Sequence, residues 1–286
     1  MGASSSSAIG GDEGVDGRYL GELPESCVAS VLIHLDPPEI CDLARLNRAF
    51  RGAASADLVW DLKLPPNYVY LMEKVEEDKE EKNKNLVFSS KKEIYAQLCK
   101  SNLFDGDTKM FWLEKRKGGV CLLLSSKALM VTGIEDRRYW NYIPTEESKF
   151  GTVAYLQQIW WFEVDGEIEF YFPPSTYVLY FRLHLGRSSK SFGRRICNLD
   201  QVHGWDIKPA RFQLSTSNCG SQDIDIRRYI ATPGTWLNYY VGEFVVTDSD
   251  IITKVKFSMT QIDCTHTKGG LCLDSVLICP KGYNPN

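Results

Sequence analysis

The sequence predicts an α+β chain in which a small all-α N-terminal unit precedes an all-β antiparallel sandwich. Near the N-terminus, apolar residues recur at helical spacing, as at Val28, Val31, Leu32 and Leu35. Beyond about Lys109, short segments rich in aromatic and β-branched residues are separated by Gly, Pro, Asn and Asp. No helical segments alternate with these predicted strands, which favours an antiparallel sandwich over a βαβ fold.

The composition narrows the class of function. The chain has 286 residues, a net charge of −4 and a hydrophobic fraction of 43%, values typical of a globular protein rather than a nucleic-acid-binding one. No leading apolar run resembles a signal peptide, and no apolar run is long enough to span a bilayer, so we expect no stable membrane insertion. Nine scattered cysteines indicate reduced thiols, and we expect the protein in the cytoplasm, the nucleus or both.

Residues 1–17 are rich in Ser, Gly and Ala and predict a disordered tail. Met1-Gly2 followed by Ser6 matches the N-myristoylation pattern, which a Ser-rich tail can also match by chance. A single myristoyl chain would anchor the protein only marginally.

Residues 18–64 predict two or three packed helices. Asp36 can cap a helix that begins at Pro37, and Glu39 completes a capping box three residues after the cap. Ile40 continues the apolar face of that helix. So short a helical unit can bury little core by itself, and we expect it to need a partner or a neighbouring domain.

This segment resembles the F-box motif, at Leu23-Pro24, Val31-Leu32, Leu35, Pro37, Ile40, Leu43, Asn47-Arg48, Phe50-Arg51 and Leu58-Val59-Trp60. The resemblance implies binding to a Skp-type adaptor, and through it to a cullin, in an SCF ubiquitin ligase. We expect the adaptor-binding apolar surface and its support to comprise Leu23, Pro24, Leu32, Leu35, Pro37, Ile40 and Leu43. The alternative is a plain helical hairpin that belongs to the core of the following domain.

Residues 65–106 predict a helical and charged linker. Pro65-Pro66 ends the preceding helical unit, because proline breaks a continuing helix. Residues 73–84 are almost wholly charged and of mixed sign, which is typical of a solvated helix or linker. Ser90 followed by Glu93 predicts a second capping box and a short helix.

Residues 107–286 predict the sandwich. Asp165-Gly166 stands between two strand-like runs and predicts a β-hairpin with a type I′ turn. Trp160 and Trp161 are adjacent on the first of these runs, so one of the two is expected to face the core.

No catalytic motif is recognisable in the sequence, and we expect a non-catalytic protein without a cofactor. Paired carboxylates at Glu163, Glu167 and Glu169 would suit a glycosidase. However, Glu167 and Glu169 alternate with apolar residues on a predicted strand, where solvated carboxylates are ordinary. An enzyme of this kind is therefore the less favoured alternative.

Residue types that bind zinc gather near the C-terminus, at Cys264, His266, Cys272 and Cys279. Their spacing lacks the paired C-x₂-C arrangement of structural zinc sites. Cys272 and Cys279 are seven residues apart on one predicted strand, so they are expected to point to opposite faces. We therefore expect ordinary core cysteines and no metal site.

Aromatic residues in polar surroundings suggest a carbohydrate site, because a flat ring stacks on the C–H face of a sugar while polar groups bind its hydroxyls. Trp140 and Tyr142 lie in a polar segment, and Trp236 is a further candidate. Trp140 is predicted to be the best exposed of the three.

The region from Asp107 to Pro280 resembles the phloem protein 2 family, which includes the tobacco lectin Nictaba. The matching motifs are Ala128 to Gly133 with Tyr139-Trp140, Val153 to Leu156 with Trp160 to Val164, Trp236-x₅-Gly242-Glu243-Phe244, Phe257-Ser258-Met259 and Asp274-Ser275-Val276. The resemblance implies a jelly-roll β-sandwich that binds glycans containing N-acetylglucosamine. The sequence departs from the lectin pattern at Gly133, where the lectin has Trp. It also departs at Lys254 and Gln261, where the lectin has acidic residues.

The two resemblances together are those of the plant F-box proteins of the phloem protein 2 class. They imply a substrate-recognition subunit whose lectin-like domain selects a glycoprotein or other protein target. The alternative is an intracellular lectin that acts outside the ligase.

Overall fold

The computed structural model of the protein describes residues 23–77, 88–191, 194–217 and 223–285. It confirms the α+β class, with helices concentrated near the N-terminus and antiparallel sheets in the remainder. The predicted tail with its myristoylation pattern lies outside the described residues, as does part of the charged linker.

The described α-helices precede the first strand, and they are α1 (Glu25–Leu32), α2 (Pro37–Leu43), α3 (Arg48–Ala53), α4 (Asp57–Asp61), α5 (Tyr68–Glu77) and α6 (Lys91–Leu98). The capping box predicted at the start of α2 is confirmed, since the Glu39 carboxylate accepts the backbone N–H of Asp36 at 2.9 Å. The Ser90 hydroxyl likewise accepts the Glu93 N–H at the start of α6. No helix among residues 23–77 and 88–98 is long and apolar enough to cross a bilayer.

The strands form two large antiparallel sheets and a separate hairpin. The eight-stranded sheet comprises β1 (Asn102–Phe104), β2 (Lys109–Leu113), β3 (Val120–Ser125), β5 (Trp140–Pro144), β6 (Thr152–Leu156), β8 (Ser175–Leu185), β13 (Trp236–Val246) and β15 (Leu271–Pro280). The five-stranded sheet comprises β4 (Met130–Val131), β7 (Phe162–Phe170), β11 (Ala210–Thr216), β12 (Ile224–Arg228) and β14 (Thr253–Gln261). The hairpin comprises β9 (Arg187–Ser191) and β10 (Arg194–Asn198).

Aromatic side chains fill the space between the two large sheets. Phe181 of β8 lies with its ring centroid 5.7 Å from that of Phe212 on β11 and 5.8 Å from that of Phe257 on β14. All three side chains are buried. The two sheets therefore share one apolar core, while their assignment to a jelly roll stays a prediction.

The helices pack on one another, and α5 also packs against the strands. The Tyr70 ring on α5 lies 5.2 Å from Phe170 and 4.9 Å from Tyr171. Trp60 on α4 lies 5.2 Å from Tyr95 on α6. One continuous cluster of buried residues runs from α1 through both large sheets, which agrees with the expectation that the short helical unit needs a neighbour.

The hairpin predicted at Asp165-Gly166 is wrong, because both residues lie inside the continuous strand β7. Gly166 pairs with Phe257 on the neighbouring strand, and a Cβ atom at Gly166 would lie 2.2 Å from the Phe257 ring. The glycine is therefore required for close packing of an aromatic ring and not for a turn.

The expectation that Trp160 or Trp161 faces the core is also wrong. Strand β7 begins only at Phe162, so the two tryptophans precede the regular alternation of side chains. They are 52% and 44% exposed, respectively.

Candidate functional site

The residues predicted to bind an adaptor divide into three groups by burial. Leu32, Pro37 and Ile40 are buried inside the helical region, so they support its surface rather than form it. Leu35 and Leu43 are half-buried and pack against the same core.

Leu23 and Pro24 are exposed at the start of α1. Further large apolar side chains between residues 23 and 64 are exposed as well, and we call this set the exposed apolar set: Leu23, Val31, Leu46, Leu58 and Leu62. Val31 and Leu58 are positions of the F-box resemblance. The helical spacing of apolar residues in the sequence could not show which of these side chains are buried and which are exposed. Exposed apolar side chains that form a contiguous patch mark interaction sites on monomeric proteins.

Trp140 is not an exposed sugar-binding residue, contrary to the sequence prediction. Its side chain is 1% exposed and lies 6.2 Å from the Phe162 ring, with Nε1 donating to the Thr132 carbonyl at 3.1 Å. Strand β5 pairs Trp140 with the buried Leu156 of β6, which places the indole on the inner face of the eight-stranded sheet. Trp140 therefore stabilises the core.

Tyr142 and Trp236 do not join Trp140 in one site. Tyr142 is 43% exposed on the same edge strand, with the Lys127 ammonium 5.6 Å from its ring centroid. Trp236 belongs to a cross-strand row with His184, Cys272, Tyr155 and Asn141, and this row forms the outer face of the eight-stranded sheet. Asn141 follows Trp140 directly, so Trp140 and Trp236 point to opposite faces.

The surroundings of Trp236 are polar and charged. The Arg182 guanidinium lies 4.5 Å from the Trp236 ring centroid, and the His184 ring lies 5.0 Å away. The indole Nε1 donates to a Glu147 carboxylate oxygen at 3.1 Å. Arg182 in turn forms an ion pair of 2.6 Å with the buried Asp274. These contacts fix the indole in place and occupy its only polar atom.

Trp160 and Trp161, in contrast, present their rings to solvent, and we call them the exposed tryptophan pair. Their loop is fixed by Lys268, a fully buried lysine. The Lys268 ammonium donates to the backbone carbonyls of Gln261 and Asp263, each at 2.8 Å, and to that of Trp160. Burial lowers the pKa of Lys268, and these carbonyls stabilise its charged form.

The three positions that depart from the lectin pattern lie in different environments. Gly133 has φ +75°, a conformation that residues with a Cβ atom rarely adopt, and a Cβ there would lie 3.1 Å from the Tyr139 ring. Gln261 is buried, and its amide nitrogen donates to the Lys208 carbonyl.

Lys254 lies on the outer face of the five-stranded sheet. It forms ion pairs with Glu167 and, at 3.0 Å, with Glu169, which are two of the carboxylates considered for catalysis. Glu163, the third, accepts a hydrogen bond of 3.0 Å from Trp161 Nε1. The structure thus engages all three carboxylates in local contacts.

Among the described residues, no group of three or more His, Cys, Asp and Glu side chains could hold a metal ion. The prediction that Cys272 and Cys279 point to opposite faces is wrong. The register of β15 against β8 shifts between Leu273 and Ser275, and this bulge puts both cysteines on the outer face. Burial raises the pKa of each of these two thiols to about 12.

Comparison with known proteins establishes the family. The sequence model described as Phloem protein 2 matches residues 119–280. The chain belongs to the phloem protein 2 class of plant F-box proteins. Over 91% of its length it is 57% identical to F-box protein PP2-A13 of Arabidopsis thaliana, of which 88% is covered. Over 96% of its length it is 56% identical to F-box protein PP2-A12 of the same plant, of which 92% is covered.

Similarity to solved structures is weaker. A GH26-CBM35 β-(1,4)-mannanase of Podospora anserina aligns over 58% of this chain and 29% of that chain, with 9% identity and a TM-score of 0.33. A score that low supports no inference about ligand or mechanism.

The different burial of the tryptophans predicts different effects on stability. Trp140→Ala is expected to lower the free energy of unfolding by about 3–5 kcal/mol, because it leaves a cavity in the core. Trp160→Ala, the matched control on the surface, is expected to lower it by less than about 1 kcal/mol. Denaturation in urea, followed by tryptophan fluorescence and circular dichroism, measures both values. Equal losses for the two variants would contradict the assignment of Trp140 to the core.

Cysteine burial predicts an order of reactivity towards iodoacetamide at pH 8. Cys264 is exposed and is expected to be alkylated in the folded protein. Cys272 and Cys279 are expected to react only after unfolding in urea, because they are buried and almost wholly protonated at that pH. Peptide mass spectrometry of folded and unfolded samples distinguishes them. Alkylation of Cys272 at the rate of Cys264 in the folded protein would contradict the structure.

Proposed function

We propose that this phloem protein 2 member is the substrate-recognition subunit of an SCF-type ubiquitin ligase. In this function the helical region binds a Skp-type adaptor, and through it a cullin, while the strand-rich region binds the protein that is to be ubiquitinated. The observation that carries the proposal is the exposed apolar set on the helical region. The names of the Arabidopsis relatives, which are F-box proteins, support the same assignment.

The exposed apolar set gives the adaptor interface its driving force. Burying one large apolar side chain that is otherwise exposed contributes about 1.5–3 kcal/mol. The buried side chains of Leu32 and Ile40 fix the helices in place, so little reorganisation of the surface is needed on binding.

The exposed tryptophan pair is the proposed contact for the target. Two adjacent indole rings suit the C–H face of a sugar ring, and the nearby Glu163 carboxylate offers an acceptor for hydroxyl groups. We propose this surface in place of the carbohydrate site predicted from the sequence, which combined Trp140, Tyr142 and Trp236. A glycoprotein is therefore the favoured target.

The proposed role involves no bond-making by this chain. Simultaneous binding of adaptor and target raises the effective concentration of target lysines near the ubiquitin-carrying enzyme, as in any bivalent linker. None of the cysteines among the described residues forms a disulfide, which is compatible with action in the cytoplasm or nucleus.

The alternative function is that of a lectin acting outside the ligase. The packing of Tyr70 against Phe170 and Tyr171 favours this alternative, since it shows that the helices also complete the core of the strand-rich region. The two functions differ in whether the exposed apolar set has a partner.

A binding experiment with a plant Skp-type adaptor tests the ligase proposal. The intact chain is expected to bind the purified adaptor, and the double variant Leu46→Glu/Leu58→Glu is expected to bind at least about 100-fold more weakly, because two charges would be buried at the interface. Ile251→Glu, which also replaces an exposed apolar residue but lies between β13 and β14, is the matched control. Calorimetry measures the affinities.

Absence of adaptor binding by the intact chain would contradict the ligase proposal and favour the free lectin. Equal loss of binding in the Ile251→Glu control would show that the effect of the double variant is not local.

A glycan array tests the target surface. The intact chain is expected to bind a subset of immobilised N-glycans, and Trp160→Ala and Trp161→Ala are each expected to weaken binding about tenfold, the loss of one stacked ring. Tyr229→Ala removes an exposed aromatic ring elsewhere and serves as control. Binding that is unchanged in both tryptophan variants, or lost equally in the control, would exclude this surface as the glycan contact.

A further inference from the structure

A groove of about 520 Å³ lies at one end of the outer face of the eight-stranded sheet. It is bounded by strands β5 and β6 on one side and by the β9–β10 hairpin with the following loop on the other. Six polar residues line it: Asn141, Tyr155, Gln157, Arg187, Asn198 and Gln201. None of them belongs to the exposed apolar set or to the exposed tryptophan pair.

One side of the groove offers hydrogen-bond acceptors. The side-chain amide nitrogens of Gln157 and Asn141 donate to the Arg137 carbonyl, at 2.9 Å and 3.5 Å. These contacts assign the amide orientation and leave both side-chain carbonyl oxygens without a donor among the described residues.

The other side offers donors. The Asn198 side-chain oxygen accepts the backbone N–H of Asp200 at 2.8 Å, which leaves the Asn198 amide nitrogen available. The Arg187 guanidinium lies 6.0 Å from the Tyr155 ring centroid, and no carboxylate of the described residues forms an ion pair with it. No carboxylate lines the groove either.

Tyr155 lies between the two sides. Its side chain is 5% exposed, and no described residue forms a hydrogen bond with its hydroxyl group, which lines the groove. The hydroxyl oxygen is not among the buried polar atoms that lack a partner, so it is accessible from the groove. The Tyr155 hydroxyl can donate and accept, so it suits a ligand group that does the same.

We propose that this groove binds a sugar acid, that is, a hexuronate with several hydroxyl groups and one carboxylate. Its carboxylate pairs with Arg187 and the Asn198 amide, and its hydroxyl groups donate to the free oxygens of Asn141 and Gln157. The single unpaired guanidinium matches a single negative charge, and a guanidinium binds a carboxylate through two parallel hydrogen bonds.

Other small anions fit this arrangement less well. Inorganic phosphate would satisfy Arg187, but it is smaller than a hexuronate and brings only one or two hydroxyl donors for the acceptor side of the groove. An amino acid would bring donors, but its ammonium group would have no carboxylate to pair with. A neutral sugar would leave the guanidinium charge unpaired.

Titration of the full chain with matched small molecules tests the proposal. D-glucuronate and D-glucose differ only at C6, which is a carboxylate in the first and a hydroxymethyl group in the second, and glucuronate is expected to bind at least about tenfold more tightly, the usual effect of a charge-assisted pair. Inorganic phosphate and glycine are titrated as further probes. Saturation-transfer NMR detects weak binding, and calorimetry measures the stronger affinities.

Three variants locate the binding. Arg187→Gln is expected to remove the preference for glucuronate over glucose, whereas Arg116→Gln, an exposed arginine on the β2–β3 connection, is expected to retain it. Gln201→Glu places a carboxylate in the groove and is expected to weaken glucuronate binding about tenfold while leaving glucose unchanged. Circular dichroism checks that each variant is folded.

Equal binding of glucuronate and glucose would overturn the proposal, as would phosphate or glycine binding as tightly as glucuronate. A preference for glucuronate that survives Arg187→Gln would overturn it as well. None of these variants touches the exposed apolar set, so adaptor binding is expected to be unchanged and the two proposals fail independently.

Discussion

The central strand β15 fixes which residues can act together. It pairs with β8 along its length, with β6 beside Leu271 and with β3 beside Ile278. Because paired residues in antiparallel strands point to the same face, this pairing carries one inner and one outer row across the whole sheet. Trp140 belongs to the inner row and Trp236 to the outer row. A site that includes both is therefore geometrically impossible in this fold.

A second constraint is the buried ammonium group of Lys268. An unpaired charge in an apolar interior is strongly destabilising, so this group must be satisfied by fixed acceptors. Its acceptors are backbone carbonyls of Trp160, Gln261 and Asp263, which come from two separate segments. The same contacts that stabilise the charge also hold the loop that exposes Trp160 and Trp161. The proposed target surface is thus preorganised by a residue that never touches solvent.

Local signals in the sequence predicted local structure well. The capping box at Asp36 is confirmed, and at Ser90 the hydroxyl caps the Glu93 N–H while the Glu93 carboxylate accepts from Ser89 instead. These contacts join residues three or four apart and need no tertiary information. The change from helical to strand periodicity beyond about Lys109 also predicted the α+β class, since β2 begins there and strands dominate from that point.

Which side chains are buried, and which face of a sheet each one lies on, depends on contacts between residues that are distant in sequence. The following predictions of burial and of sheet face were wrong for this reason. Asp165-Gly166 has the composition of a turn, yet Gly166 is required by the Phe257 ring some ninety residues away. The facing of Cys272 and Cys279 depends on a single bulge, and one extra residue reverses every side chain beyond it. Polar neighbours in sequence suggested that Trp140 is exposed, whereas strand pairing buries it.

The packing of helices on strands has a consequence for the proposed function. Tyr70 on α5 contacts Phe170 and Tyr171, so α5 attaches the helical region to the strand-rich region. The side chains of the exposed apolar set do not belong to the buried core.

An attachment of this kind differs from a flexible linker. A flexible linker lets a bound target sample many positions, and the effective concentration falls as the linker lengthens. A shared core would keep the proposed adaptor-binding and target-binding surfaces in a fixed relation, so only targets whose lysines lie in a restricted region would reach the ubiquitin-carrying enzyme. Selection would then depend on the geometry of the bound target as well as on its affinity for the strand-rich region.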